Sequence, residues 1–320
     1  MLPPGGETVS GGAGPRQLFD RSLTVGTMAR VFGRSGPHVL NVPMRTVEFL
    51  GIPGSGKTTL VSNVHSRLLA SDTPAFTLAR AVSLGMKRGV GDRLIDPLMT
   101  HLPERLLDRY SESGFIRSNA LLVSLIDFMA AYPMAVSVFL KGQARRADYE
   151  LGTDLVVRWF LQLLARYQLG SSAMSQDDIL LLDEGFAQKA ITGFAHRFSK
   201  ADHEDLSSYL AASPRPDLLV HLAVGTDLAA ERLDGRGEPE ATKRLWDTGT
   251  DPARFLADTR RCVGYVVETA RQSGWEVLEL DGSGDLATVT GNVVDRIRSQ
   301  TQATGSSPGD VPSLDLPVDG

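Results

Sequence analysis

Thr46-Val-Glu-Phe-Leu-Gly-Ile-Pro-Gly-Ser-Gly-Lys-Thr-Thr-Leu60 is the stretch on which the reading of the whole chain turns. Residues 46–50 have the composition of a buried strand, and residues 51–58 fit G-x-x-x-x-G-K-[ST]. Leu60, Val61, Val64 and Leu68 then recur at helical spacing, predicting a helix over 57–70. Strand, glycine loop and helix in that order make a phosphate cradle. The glycines let successive backbone N–H groups turn toward one anion, and the positive N-terminal end of the helix adds to them. Gly51, Pro53, Gly54, Ser55, Gly56, Lys57, Thr58 and Thr59 are therefore expected to hold the phosphates of a nucleoside triphosphate. Lys57 is expected to reach the β- and γ-phosphates, and the Thr58 hydroxyl to bind magnesium, so ATP and Mg2+ are the expected ligands.

Working outward, Ile179-Leu-Leu-Leu182 is a central parallel strand buried on both faces, and it ends at Asp183-Glu184. An acid at that point sits beside the phosphates of a P-loop site. Asp183 is expected to bind the metal and Glu184 to serve as base, with the division of roles between them left open. Phe186 and Gln188 follow at once, placing a ring and an amide near the same mouth. Further strands are expected at 75–78, at 217–224 and at 275–280. Helices are expected at 92–111, 116–139 and 148–167, then from Asp251-Pro252, a capping residue with proline in the first helical position, and finally at 285–299. Strands alternating with helices give an α/β fold: a five-stranded parallel sheet in three αβα layers with its ligand at the strand C-termini. The domain is expected over 44–300, with a helical insertion at 79–176 that caps the acceptor side and a lid at 226–250. Residues 1–43 and 301–320, rich in Gly, Ser and Pro, are expected to be disordered, with Met1, Met28 and Met44 as alternative starts.

Composition narrows the function classes. The 320 residues carry a net charge of −5, which argues against a nucleic-acid partner and its usual basic field. Cys262 is the lone cysteine, which excludes an intrachain disulfide or a cysteine metal cluster. The apolar run from Ala120 to Leu140 contains Asp127 and Pro133, so it reads as a buried helical subdomain and not as a membrane span. The expectation is a cytoplasmic protein acting on a small molecule, without nucleic acid or membrane, and a homodimer is an open alternative to a monomer.

Thr226-Asp-Leu-Ala-Ala-Glu-Arg-Leu-Asp-Gly-Arg-Gly237 places Arg232 and Arg236 four apart on one helical face, with Thr226 as the expected cap. A mobile basic segment suits phosphoryl transfer, in which negative charge spreads over three oxygens. Residues 51–58, Leu182-Asp183-Glu184-Gly185, and residues 216–222 followed by Arg232 and Arg236 together resemble the nucleoside and nucleotide kinase branch of the P-loop kinases. Thymidylate-kinase-like proteins are the nearest by pattern. The resemblance, over about 44–300, implies a five-stranded parallel sheet, Arg232 and Arg236 on a lid over ATP, and residues 281–284 near the adenine.

The chain departs from that branch in two places. It has Asp183-Glu184-Gly185-Phe186 where thymidylate kinases carry Asp-Arg-aromatic, and only Arg80 where they carry an Arg-Glu-Pro type of segment. Arg80, Arg117, Arg145, Arg146 and Arg158 are candidates for an anionic acceptor. The reading is an ATP- and Mg2+-dependent small-molecule kinase with Lys57, Asp183, Glu184, Arg232 and Arg236 in the chemistry. Its rivals are a nucleoside monophosphate kinase of the thymidylate kinase type and an NTP-hydrolysing switch that binds a protein. No guanine-reading Asn-Lys-x-Asp segment or Ser-Gly-Gly signature is present.

Overall fold

The computed structural model describes residues 45–89, 119–145, 153–196, 198–235 and 251–305. The strands are β1 (Arg45–Leu50), β2 (Ala75–Thr77), β3 (Ile179–Leu182), β4 (Leu218–Ala223) and β5 (Val277–Asp281). They form one parallel sheet in the order β2-β3-β1-β4-β5, and all five expected strands are present. β1 is central, with Glu48 in register with Leu182 of β3 and Leu219 of β4. β2 and β3 lie on one side of β1 and β4 and β5 on the other, and the crevice at such a switch point is where a doubly wound sheet binds its ligand.

Side chains alternate along each strand, so every central strand feeds two cores. Val47, Phe49, Ile179, Leu181, Leu218 and Val220 join α1 (Lys57–Leu69) and α10 (Leu286–Gly305) in one cluster. On the opposite face Leu50, Leu180, Leu182 and Leu219 belong to a larger cluster. It is built with α2 (Leu78–Gly89), α3 (Asn119–Ala131), α4 (Pro133–Arg145), α5 (Thr153–Ser172), α6 (Phe186–Phe194), α7 (His203–Ala212), α8 (Thr226–Asp234) and α9 (Pro252–Gln272). Burial on both faces is why β3 reads as four consecutive apolar residues.

The run expected as one helix over 116–139 is two. Pro133 lacks a backbone N–H and its ring obstructs the preceding turn, so α3 ends at Ala131 and α4 leaves at 97°. Among the described residues no single helix is long and apolar enough to cross a membrane. Stacked rings join these helices to the sheet side: Phe139 on Phe160 at 3.8 Å and Phe128 on Phe186 at 5.5 Å between centroids. α9 begins as its sequence predicts, with the Asp251 carboxylate accepting from the Ala253 amide at 3.1 Å and Pro252 in the first position. Thr226 is not the cap of α8: Gly225 holds that position and Thr226 is the first helical residue. The helix expected at 92–111, residues 236–250 of the expected lid, and residues 1–43 and 306–320 lie outside the described residues, while α10 runs on to Gly305, past the expected end at 299 and into the tail expected to be disordered from 301.

Candidate functional site

The loop between β1 and α1 turns on two glycines in the left-handed region, Gly54 at φ +79° and Gly56 at φ +95°. Space as well as conformation excludes a side chain at Gly54, where a Cβ would lie 2.3 Å from the Ala229 carbonyl oxygen. Inside the loop Lys57 Nζ donates to the carbonyls of Gly51 at 2.7 Å and Ile52 at 3.1 Å. The lysine thus braces the loop while its ammonium stays within the concavity. Thr58 and Thr59 are exposed at the first turn of α1. A tight glycine loop with a lysine ammonium and two exposed threonines at the start of a helix could hold the phosphates of a nucleotide and its metal.

Arg232 enters from α8. Its guanidinium donates to the Ser55 carbonyl at 3.1 Å and to the Gly282 carbonyl at 3.0 Å. One side chain therefore ties the phosphate loop to the segment after β5, where the resemblance puts the adenine. That segment is ordered locally by Asp281, whose carboxylate accepts from the Ser283 amide and hydroxyl at 2.9 Å and 2.7 Å. Those two bonds hold the Asp281 carboxyl below its usual range. Arg236, expected beside Arg232, lies outside the described residues.

Asp183 and Glu184 leave the C-terminal end of β3 in different environments. Burial, then the adjacent Glu184 charge, push the half-buried Asp183 above the ordinary carboxylate range. Glu184 is 64 % exposed and pairs with Lys189 of α6 at 2.6 Å. Lys189 holds Glu184 below its ordinary value, with Lys57 and Arg166 adding to the effect. Lys57 thus acts on Glu184 as well as on its own loop. A desolvated, like-charged carboxylate such as Asp183 is what a bound cation would stabilise.

Several residues of this site escaped the sequence reading. The Arg166 charge from α5 opposes the rise at Asp183 and adds to the fall at Glu184, whereas the arginines singled out beforehand do otherwise. Arg145 pairs with Asp205 of α7, Arg80 lies over the Phe76 ring at 5.6 Å, and Arg158 is exposed. Arg117 and Arg146 lie outside the described residues. Lys189 is 8 % exposed in a helix buried on nearly every side, with its ammonium 5.8 Å from the centre of the Trp159 ring.

The most unusual residue is Glu48. It points from β1 into the larger core, is fully buried, and accepts from the Gln188 amide at 2.9 Å through Oε1. Among the described residues its Oε2 has no hydrogen-bond partner. Burial drives the carboxyl up to about 7 in spite of the amides and of Lys189 nearby. An acid inside an otherwise apolar strand buried on both faces was the available signal, and Thr46-Val-Glu-Phe-Leu50 displays it.

No protein-family model matches the chain, and no curated protein matches it. Among solved structures it is similar to the deoxyadenosine kinase of M. mycoides, in one structure with the products dCMP and a flexible dCDP bound and in another with bound dATP. Both are 14 % identical and cover 79 % of this chain and 99 % of that one, with TM-scores of 0.41 and 0.40. The likeness assigns no substrate to this chain.

Proposed function

We propose that the chain is an ATP- and Mg2+-dependent kinase that transfers a phosphoryl group to an oxygen of a small molecule. The observation that carries this reading is Arg232, held between the Ser55 carbonyl of the phosphate loop and the Gly282 carbonyl after β5. A cation delivered from a separate helix to the phosphate loop suits the stabilisation of a transferring phosphoryl group. Lys57 and the amides of the loop would hold the phosphates, and Thr58 and Asp183 would hold the magnesium. When bound, ATP supplies the γ-phosphoryl group and Mg2+ offsets its charge. Glu184, kept ionised by Lys189, is assigned the proton of the attacking hydroxyl. The bond to the ADP oxygen breaks as the bond to the acceptor oxygen forms, and the hydroxyl proton passes to the carboxylate.

The acceptor's place in this reading is between the acid pair and the inserted helices, where Arg166 and Lys189 add positive charge. A nucleoside or nucleoside monophosphate is one acceptor class within the reading, following the thymidylate-kinase-like pattern of the sequence. Asp183-Glu184-Gly185-Phe186 stands where that pattern carries Asp-Arg-aromatic, and Lys189 brings a cation to Glu184 from one turn into α6. The test is ADP formation from ATP against a panel of nucleosides, nucleoside monophosphates, sugars and hydroxylated metabolites. Acceptor-dependent ADP formation with a phosphorylated product supports the reading. ADP formation stimulated by a protein partner and by no small molecule replaces it with the switch.

A further inference from the structure

We propose that Glu48 is a positioning residue that sets the phosphate loop in register with the acid pair, through the first turn of α6. The inference rests on reading the loop as an ATP site. It begins with a chain of bonds: Glu48 Oε1 accepts from the Gln188 amide at 2.9 Å, and Gln188 Oε1 accepts from the Gly51 amide at 3.2 Å. Gly51 is the first residue of the phosphate loop, so two successive buried bonds join the loop to an acid in the middle of the sheet. One residue further along α6, Lys189 pairs with Glu184 at 2.6 Å. The same helical turn therefore sends one side chain to the phosphate loop and the next to the acid pair, and Glu48 fixes where that turn sits.

The packing leaves the turn little other choice. A Cβ on Gly185 would lie 2.4 Å from the Glu48 carboxyl carbon, so the residue entering α6 must be glycine for the carboxyl to approach it. The Tyr209 hydroxyl donates to the Phe186 carbonyl at 3.3 Å, holding the other side of the turn. The groups whose fields or bonds bear on Glu48 are the amides of Phe186, Ala187 and Gln188 and the Lys189 ammonium from α6, Tyr167 from α5 and Tyr209 from α7. A glutamate buried to this extent with one oxygen unpartnered is costly to keep. Holding the catalytic geometry is a reason to keep it; core packing alone would be served better by leucine.

Reach and charge can be separated by mutation. Glu48→Gln keeps the length and the Oε1 acceptor and loses the charge, whereas Glu48→Asp keeps the charge and withdraws the acceptor by one methylene. Two readouts are needed: hydrogen exchange at the Gly51 amide, and titration with a fluorescent methylanthraniloyl-ATP in the presence of Mg2+. The expected result is that Glu48→Gln stays within about threefold of wild type in both. Glu48→Asp and Gln188→Ala should each speed Gly51 exchange and weaken nucleotide binding about tenfold, the loss expected from one broken buried hydrogen bond. The double variant Glu48→Asp/Gln188→Ala should be no worse than the poorer single, since both act through one chain of bonds.

Retention of binding and Gly51 protection in Glu48→Asp, or full additivity in the double variant, overturns the proposal. So does a Glu48→Gln variant as impaired as Glu48→Asp, because charge would then be the role. Failure of wild type to bind the nucleotide while Gly51 exchange responds as described would sink the kinase reading and leave the mechanical coupling standing. Should Glu48→Asp not fold, Gln188→Ala and Glu48→Gln decide the matter through the same two readouts.

Discussion

The two faces of β1 differ in what they bury. Toward α1 and α10 the strand presents Val47 and Phe49 to apolar side chains, and Thr290, buried on α10, keeps its hydroxyl bonded within its own helix, to the Leu286 carbonyl at 2.7 Å. Toward α6 it presents Glu48 and Leu50, and the neighbourhood includes buried Gln188 and Lys189 as well as rings. The first face holds the sheet together by area alone, which is non-directional and tolerant of rearrangement. The second gives up some of that stabilisation to place polar groups at defined distances beneath the phosphate loop. The contrast teaches where to look in such a fold: the side of the central strand that departs from the apolar rule is the side on which to test for the chemistry.

The contrast can be broken or sharpened by four variants, in falling order of effect. Arg232→Ala should lower kcat by roughly 10³-fold, equivalent to about 4 kcal/mol in the barrier, with a smaller change in ATP binding. Steady-state kinetics separate the two, and a loss confined to ATP affinity would make Arg232 a ground-state contact. Phe49→Ala, on the apolar face, should cost about 3–4 kcal/mol of stability in denaturant titration while the remaining folded protein keeps its turnover. A selective loss of turnover would erase the distinction between the faces.

The third variant is Glu48→Gln, read as stability against pH. Burial raises the native carboxyl from its ordinary value of 4.5 to about 7. The folded chain thus keeps a proton over that window which the unfolded chain has lost. The associated stability is fully present below about 4.5 and declines as pH rises to about 7, by on the order of 3 kcal/mol. Glu48→Gln should remove that decline, so its stability relative to wild type increases between about pH 5 and pH 8. A constant difference across that range would mean that Glu48 is not the titrating group. The smallest effect is expected at Arg145, whose pairing with Asp205 lies on the surface. Arg145→Ala should change stability by less than about 1 kcal/mol and leave the KM for the acceptor unmoved. A raised acceptor KM would return Arg145 to the acceptor site.

Local sequence was enough for the parts that local sequence determines. The loop at 51–58, the run of β3 with its terminal acids, and the Asp251-Pro252 start of α9 are each encoded within a few residues, and each is found as read. The break at Pro133 is legible too, since the ring that disfavours a membrane span also ends α3 and turns the chain into α4. Arg166 was not legible, because nothing near it in sequence states that α5 converges on the end of β3, whereas Lys189, five residues from Glu184 and next to Gln188, was a local signal left unread. Glu48 lay between. Its oddity was in plain view, but its consequence depends on Gln188, 140 residues away.

Lys57 tests the central claim most directly, because its ammonium lies inside the loop and contributes nothing to either core. The measurement is binding of Mg2+-ATP by calorimetry to wild type and to Lys57→Ala, with circular dichroism on both. The account predicts binding to wild type, at least about tenfold weaker binding to the variant, and identical spectra. Equal binding by the two folded proteins, or none by wild type, would contradict it.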